Sequence, residues 1–188
     1  KMVGYHPRNP QKHDLPTIVS TVSAYDTASG HLIAIADGTF VTALRTGAAS
    51  AVASRMLAKE DSHVVGLVGC GAQSLTQLHA ILRTFPIDQV LIVDIDQSAE
   101  DSFETRAEPI LKDGVLVKKV SLDVLLATSD IVCTTTSIGI GEGPVFADQE
   151  MKPWVHVNAV GSDFPGKVDL PGELLRRSLV CPDPREQA

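Results

Sequence analysis

Within the stretch "GLVGCGAQS", Gly69 and Gly71 stand one residue apart between an apolar run and a series of good helix formers. Glycine permits a tight turn and lets backbone N–H groups approach a pyrophosphate, and the N-terminus of the following helix favours its negative charge. Ser74 stands at the third position of that pattern, where Gly or Ala is usual. Asp94 closes "VLIVD", 25 positions beyond Gly69. An acid there accepts both ribose hydroxyls of NAD and repels the 2′-phosphate of NADP. Asp96 is the alternate acid. This combination is expected to bind a dinucleotide, NAD rather than NADP.

Other residues leave two readings open. "VNAVGSDFPGK", Val157 to Lys167, sets Asp163 and Lys167 directly after an apolar run. They are either solvated charges of a turn or the working end of a site, where a carboxylate shuttles the proton of a substrate amine. "DIVCTTTS" ends a strand in hydroxyls where the nicotinamide half of a dinucleotide would run, although threonine favours strands in any case. Arg45, inside "ALRTGAAS", is either a snorkelling surface charge or a bidentate anchor for a carboxylate or phosphate. The six histidines show no H-x-x-x-H spacing and the three cysteines form no CxxC, so no metal is inferred. There is neither a G-x-S-x-G elbow nor a Walker loop.

The totals are those of a globular chain: 188 residues, 44% hydrophobic and 21% charged. A net charge of −7 argues against a nucleic-acid surface. No apolar run approaches the roughly 20 residues of a membrane helix, and the opening residues lack the apolar core of a signal peptide. Scattered cysteines suggest reduced thiols, hence a cytoplasmic location.

The elements that must position these groups follow from periodicity. "TIVSTVSAYD" and "HLIAIAD" around "TASG" predict a hairpin of an antiparallel sheet. "VTALRTGAASAVASRMLAKE" predicts a helix whose small central residues, Thr46 to Ala53, allow a close approach at a domain or subunit contact. From His63 onward apolar strands alternate with helices, one of them spanning "SAEDSFETRAEPILKD". That rhythm means an α/β fold with a Rossmann-type parallel sheet covered on both faces. The chain opens and closes on polar, proline-rich residues ("CPDPREQA" at the end), as a piece of a longer protein would.

The motifs "KMVGYHPRNP", "LPT", "ALRTGAASAVAS", "VGCGAQS", "DIVCTTTS" and "VNAVGSDFPGKVDLP", in this order, resemble the ornithine cyclodeaminase and mu-crystallin family. The resemblance implies residues 1–45 as part of a substrate-binding and dimerisation domain, and 46–188 as the Rossmann domain inserted into it. It also implies that segments on both sides complete the substrate domain, and that the protein is a homodimer. By the same resemblance Lys1 holds the substrate carboxylate, Arg45 touches substrate and cofactor, and Thr17 contacts the cofactor. Ala72 and Gln73 meet the pyrophosphate, Asp94 the ribose, and Thr134 or Thr135 the cofactor. Val160, Gly161, Ser162 and Asp163 line the nicotinamide end, Lys167 contacts the cofactor, and Asp163 is the catalytic acid. The implied reaction is NAD-dependent oxidation of an amino acid to an imine. Closure by the distal amine, loss of ammonia and reduction then take L-ornithine to L-proline. A dehydrogenase, a ketimine reductase and a non-catalytic binding protein are the alternatives on the same scaffold.

Overall fold

The computed structural model describes residues 1–182, so all but Cys181 and Pro182 of the closing "CPDPREQA" lies outside the described residues. The chain forms two sheets joined by one long helix. β1 (Met2–Tyr5), β2 (Ile18–Tyr25) and β3 (Leu32–Asp37) make an antiparallel sheet in that order. The expected β2–β3 hairpin turns at Asp26, whose carboxylate accepts from the Ala28 and Ser29 amides at 3.0 and 2.6 Å. β1 and the short helix α1 (Asn9–His13), which carries Pro10 in its first turn, were not legible as elements in the polar opening stretch.

The second sheet is parallel, in the order β6-β5-β4-β7-β8: β4 (Val64–Val68), β5 (Gln89–Val93), β6 (Leu116–Lys119), β7 (Ile131–Thr134) and β8 (His156–Ala159). The chain starts at the central β4, steps out to β6, then returns to lay β7 on the other side of β4. This reversal opens a crevice between the carboxyl ends of β4 and β7, where ligands of such sheets bind. Alternate residues feed two cores. Val90 and Ile92 of β5 and Ile131 and Cys133 of β7 face α3 (Ala72–Thr84) with Leu78, Ile81 and Leu82. Leu91 and Val132 face the other way, toward Leu125 and Leu126 of α6 (Leu122–Thr128) and Leu174 of α7 (Gly172–Arg176). Both faces of the parallel sheet are therefore covered, as its apolar strands require.

The predicted helix over "SAEDSFETRAEPILKD" is broken into α4 (Gln97–Asp101), α5 (Phe103–Ala107) and a 3₁₀ turn at Glu108–Ile110. Ser102 joins the first two pieces, and Pro109, which has no N–H to continue an α-helix, sits in the third.

α2 (Thr39–Leu57) is the small-residue helix, and the position between residues 45 and 46 falls within it. It touches the antiparallel sheet through Thr42, 2.8 Å from the Ser20 hydroxyl, and the parallel sheet through Ser54, which accepts from Asn158 Nδ2 at 3.0 Å. Its buried face is Gly47, Ala51 and Ser54. A Cβ on Gly47 would stand 2.2 Å from the Thr76 carbonyl oxygen of α3, so the two helix backbones meet closely there.

Candidate active site at the carboxyl edge of the parallel sheet

The glycine turn leaves β4 and opens α3. Gly69 has φ +99°, a left-handed conformation that favours glycine, and its N–H donates to the Val93 carbonyl at 2.9 Å. Gly71 caps α3 with no side chain bonded to the first-turn amides, and a Cβ there would meet nothing within 4 Å. Open space over an uncapped helix N-terminus fits an anionic group such as a pyrophosphate. Gln73, expected to contribute a backbone contact with Ala72, also sends its side-chain amide to the Ala43 carbonyl of α2 at 3.3 Å. Ser74, the departure from the glycine pattern, is fully buried and returns its hydroxyl to the Gly71 carbonyl at 2.6 Å. In this turn a serine therefore supports the geometry from within.

Asp94 sits just past β5 with its carboxylate against the same turn. Oδ2 accepts from the Cys70 N–H at 2.5 Å and Oδ1 from the Asp96 N–H at 2.8 Å. Asp96 is engaged in capping α4, accepting from the Ser98 amide at 2.9 Å. Of the two acids, Asp94 is the one beside the glycines. Cys70 is fully buried, and burial with Asp94 and Glu100 nearby pushes its thiol up to about 12. Burial likewise pushes Cys133 up to about 12. Neither thiol is a nucleophile at neutral pH.

Across the crevice the two threonines part company. Thr135 donates its hydroxyl to the Gly69 carbonyl at 3.0 Å and lies against the glycine turn. Thr134 is fully buried and donates to Asp169 Oδ2 at 2.8 Å. Asp169 is a residue the sequence reading missed, and its signal was faint: an acid between Val168 and Leu170 in "VDLP". It is completely buried, accepts also from Thr136 at 3.3 Å, and gives its own N–H to Ser162 Oγ at 3.0 Å. A Cβ on Gly161 would stand 2.4 Å from its Oδ2. Val160 and Gly161 both donate to the Thr134 carbonyl, at 3.0 and 3.1 Å. The segment Val160–Ser162 is thus moored to β7 directly and through Asp169.

Burial raises the Asp169 carboxyl above its ordinary value, against the opposing hydrogen bonds of Thr134, Gly161 and Thr136. The folded state therefore disfavours the charged form. Its contribution to stability falls as pH rises from the ordinary carboxyl range, near 3.8, to the raised native value, and is constant above that. Asp169→Asn should remove this dependence. The urea midpoint of the variant relative to the parent should rise across that window, and parallel curves would refute the assignment.

Beyond Ser162 the loop carries Asp163, exposed, paired at 2.8 Å with Lys167, whose side chain is only 13% exposed. The hydrogen bond to Asp163 raises the Lys167 pKa, so it is a fixed cation. Its ammonium lies 5.5 Å from the ring centroid of Tyr5. Tyr5 belongs to β1, so the loop bridges the parallel sheet and the antiparallel one. Lys1, just before β1, donates to Thr42 Oγ1 of α2 at 3.2 Å. Arg45 follows Thr42 by one helical step of three, on the same side of α2, and is exposed with no ion pair among the described residues. Two cations on neighbouring positions suit a carboxylate. Thr17 is half-buried and accepts from the His6 N–H through its carbonyl at 2.7 Å, tying the entry of β2 to the end of β1. Among the described residues no group of three or more His, Cys, Asp or Glu is placed to hold a metal ion, and no helix is long and apolar enough to cross a membrane.

Comparisons with known proteins agree with this fold. The ornithine cyclodeaminase/mu-crystallin family profile matches residues 1–188. An L-lysine cyclodeaminase from Streptomyces rapamycinicus is 41% identical over 188 residues, all of this chain and 54% of the relative. An alanine dehydrogenase from Archaeoglobus fulgidus is 35% identical over the same 188 residues, 56% of its length. Among solved structures, a lysine cyclodeaminase studied for recognition of L-lysine, L-ornithine and L-2,4-diaminobutyric acid superposes with a TM-score of 0.86 at 47% identity, covering 92% of this chain and 49% of its own. An archaeal alanine dehydrogenase dimer with bound NAD gives 0.83 at 34% identity, covering 93% and 52%. The chain spans about half the length of the relatives it matches.

Proposed function

The chain belongs to the ornithine cyclodeaminase/mu-crystallin family, and from that premise we propose that it carries the NAD site and part of the substrate site of an enzyme that cyclodeaminates a basic L-amino acid. Residues 1–45 are part of a substrate-binding and dimerisation domain and 46–188 the Rossmann domain. The observation that carries this reading is the bridge from Asp163 through Lys167 to Tyr5. It sets an acid of the sheet's carboxyl edge beside the strand that Lys1 precedes. The 41% and 47% identities to lysine cyclodeaminases support a diamino acid as the substrate class, L-lysine or L-ornithine.

In this reading Ala72 and Gln73 offer backbone amides to the pyrophosphate, Asp94 accepts from the ribose, and Thr135, Val160, Gly161 and Ser162 line the nicotinamide end. Bound NAD supplies reversible hydride transfer at the amino-acid Cα. Lys1 and Arg45 hold the substrate carboxylate and so fix which face of Cα is presented. Asp163 takes a proton from the substrate ammonium, which leaves a neutral amine. A neutral distal amine is the form that attacks the Cα imine, closes the ring and releases ammonia. Lys167 keeps Asp163 in place as a hydrogen-bonding cation.

The test is product analysis of the full-length protein with NAD⁺ and L-ornithine or L-lysine. L-proline or L-pipecolate, ammonia and no net NADH support cyclodeamination. Keto acid with accumulating NADH identifies an amino-acid dehydrogenase, the second reading, which the 35% identity to alanine dehydrogenase over the whole chain favours. Tight NADH binding without turnover identifies a mu-crystallin-like binding protein.

NAD preference is expected to rest on Asp94. Asp94→Asn keeps an acceptor for the Cys70 amide but removes the charge, and the ratio of NADPH to NADH dissociation constants should fall about tenfold. An unchanged ratio would contradict the ribose role. A cytoplasmic homodimer completes the proposal. The exposed Ile33 and Ile35 of β3 and Phe40 and Val41 of α2 support a further contact on that side, and sedimentation of the full-length protein tests it.

A further inference from the structure

We propose that Arg106 is a positioning residue for the dinucleotide, locking the central residue of the Gly69–Gly71 turn in the conformation that receives a pyrophosphate. The inference rests on the dinucleotide reading above and adds to it a residue more than thirty positions from the glycines.

Arg106 lies on α5, half-buried, with its guanidinium 5.6 Å from the Phe103 ring centroid. Nη2 donates to the Cys70 carbonyl at 2.7 Å and to the Ala99 carbonyl at 2.8 Å, while Nε donates to Ser102 Oγ at 3.1 Å. Cys70 is the middle residue of G-x-G and its own N–H is held by Asp94 at 2.5 Å. The two peptide planes that flank the Cys70 Cα are therefore each fixed by a different charged side chain. One comes from the end of β5, the other from α5.

A glycine turn needs such external restraint. Gly69 sits at φ +99° and Gly71 has no neighbour within 4 Å of a Cβ position, so the flanking residues resist rotation weakly by themselves. If the Cys70 carbonyl turned, the following peptide would turn with it and carry away the Gly71 amide. Holding the carbonyl through a charge-assisted hydrogen bond keeps the amides of Gly71 and of the uncapped first turn of α3 in register before a ligand arrives. Preorganisation of this kind lowers the ordering cost of binding. Arg106 also has its Nη2 and Nε donors committed to protein acceptors, which is consistent with a role behind the turn and not as a direct ligand of a 2′-phosphate.

The experiment is NADH titration by fluorescence on the intact protein, well below its unfolding temperature. Arg106→Met keeps an unbranched apolar stem near Phe103 and removes the donors. It should weaken NADH about tenfold, and in turnover it should raise the KM for NAD⁺ with kcat at saturation retained. Arg106→Lys restores one donor and should recover part of the affinity, and it decides the matter if the Met variant does not fold. Ser102→Ala removes the outer contact of the same guanidinium together with the hydroxyl's own bonds to the Ser98 and Ala99 carbonyls, leaves the Nη2 bond to the Cys70 carbonyl, and should bind NADH as the parent does. The clamp is overturned if the Met or Lys variant binds as tightly as the parent, or if Ser102→Ala loses as much as Arg106→Met. Absence of NADH binding by the parent would instead bring down the dinucleotide reading, and the clamp with it.

Discussion

Asp163→Asn in the full-length enzyme is expected to lower kcat by about a thousandfold while NADH affinity stays nearly unchanged. The amide has the carboxylate's shape and keeps an oxygen for Lys167, which donates to Asp163 at 2.8 Å. What it loses is basicity. A substrate amine that stays protonated neither releases hydride readily from its Cα nor attacks an imine, so the loss falls on turnover and not on cofactor binding. The mooring of Val160–Ser162 by the Thr134 carbonyl and Asp169 does not involve the Asp163 side chain, so the loop should keep its course in the variant. Steady-state kinetics with L-ornithine or L-lysine, beside an NADH titration, separates the two quantities. Turnover within tenfold of the parent would remove Asp163 as the proton acceptor. A large loss of NADH affinity would recast it as a structural residue of the nicotinamide end.

The second large effect concerns stability. Gly47→Ala should destabilise the protein by about 2–3 kcal/mol, although alanine is the better helix former by about 1 kcal/mol. The new methyl would stand 2.2 Å from the Thr76 carbonyl oxygen and 2.6 Å from its carbon. Backbone atoms in the interior of α3 cannot swing aside as a side-chain end does, so α2 must lift from the seam. That seam also carries the Gln73–Ala43 bond, so the shift should be felt at the glycine turn. Gly71→Ala provides the contrast. Its φ of −75° suits any residue and a Cβ there meets nothing within 4 Å. Its melting temperature should match the parent's, while NADH binding weakens because the methyl occupies space offered to the ligand. For a chain of this size the Gly47 loss corresponds to a drop of about 5–10 °C in Tm. A Gly47→Ala protein that melts with the parent would show that the helices separate at little cost.

Much of this architecture was legible in the chain before any fold was known, and particular residues show why. Val90 to Val93 and Ile131 to Cys133 are apolar without alternation, which only a sheet covered on both faces accommodates. The run from Thr46 to Ala53 announced a close helix contact by its lack of bulk. Neither pattern named a partner: the small-residue helix was equally compatible with a subunit contact, and its tightest approach is to α3 of the same chain. The stretch "SAEDSFETRAEPILKD" reads as one helix because propensity summed over a window hides a local break at Ser102. The sequence leaves Thr134 and Thr135 open as cofactor contacts, and only the packing shows that Thr135 lies against the glycine turn while Thr134 is buried on Asp169.

Residue pattern alone is enough for the parallel sheet, the glycine turn with an acid on the next strand, and a charged loop after the last strand. These are local properties, set by side-chain period and backbone freedom within a few residues. It takes the packed fold to bring Thr134 onto Asp169, Arg106 onto the Cys70 carbonyl, Lys1 onto Thr42, and Lys167 to the Tyr5 ring. Those contacts join residues 35, 36, 41 and 162 positions apart. Their geometry comes from how sheets and helices stack, and no periodicity within one element encodes the distance to another.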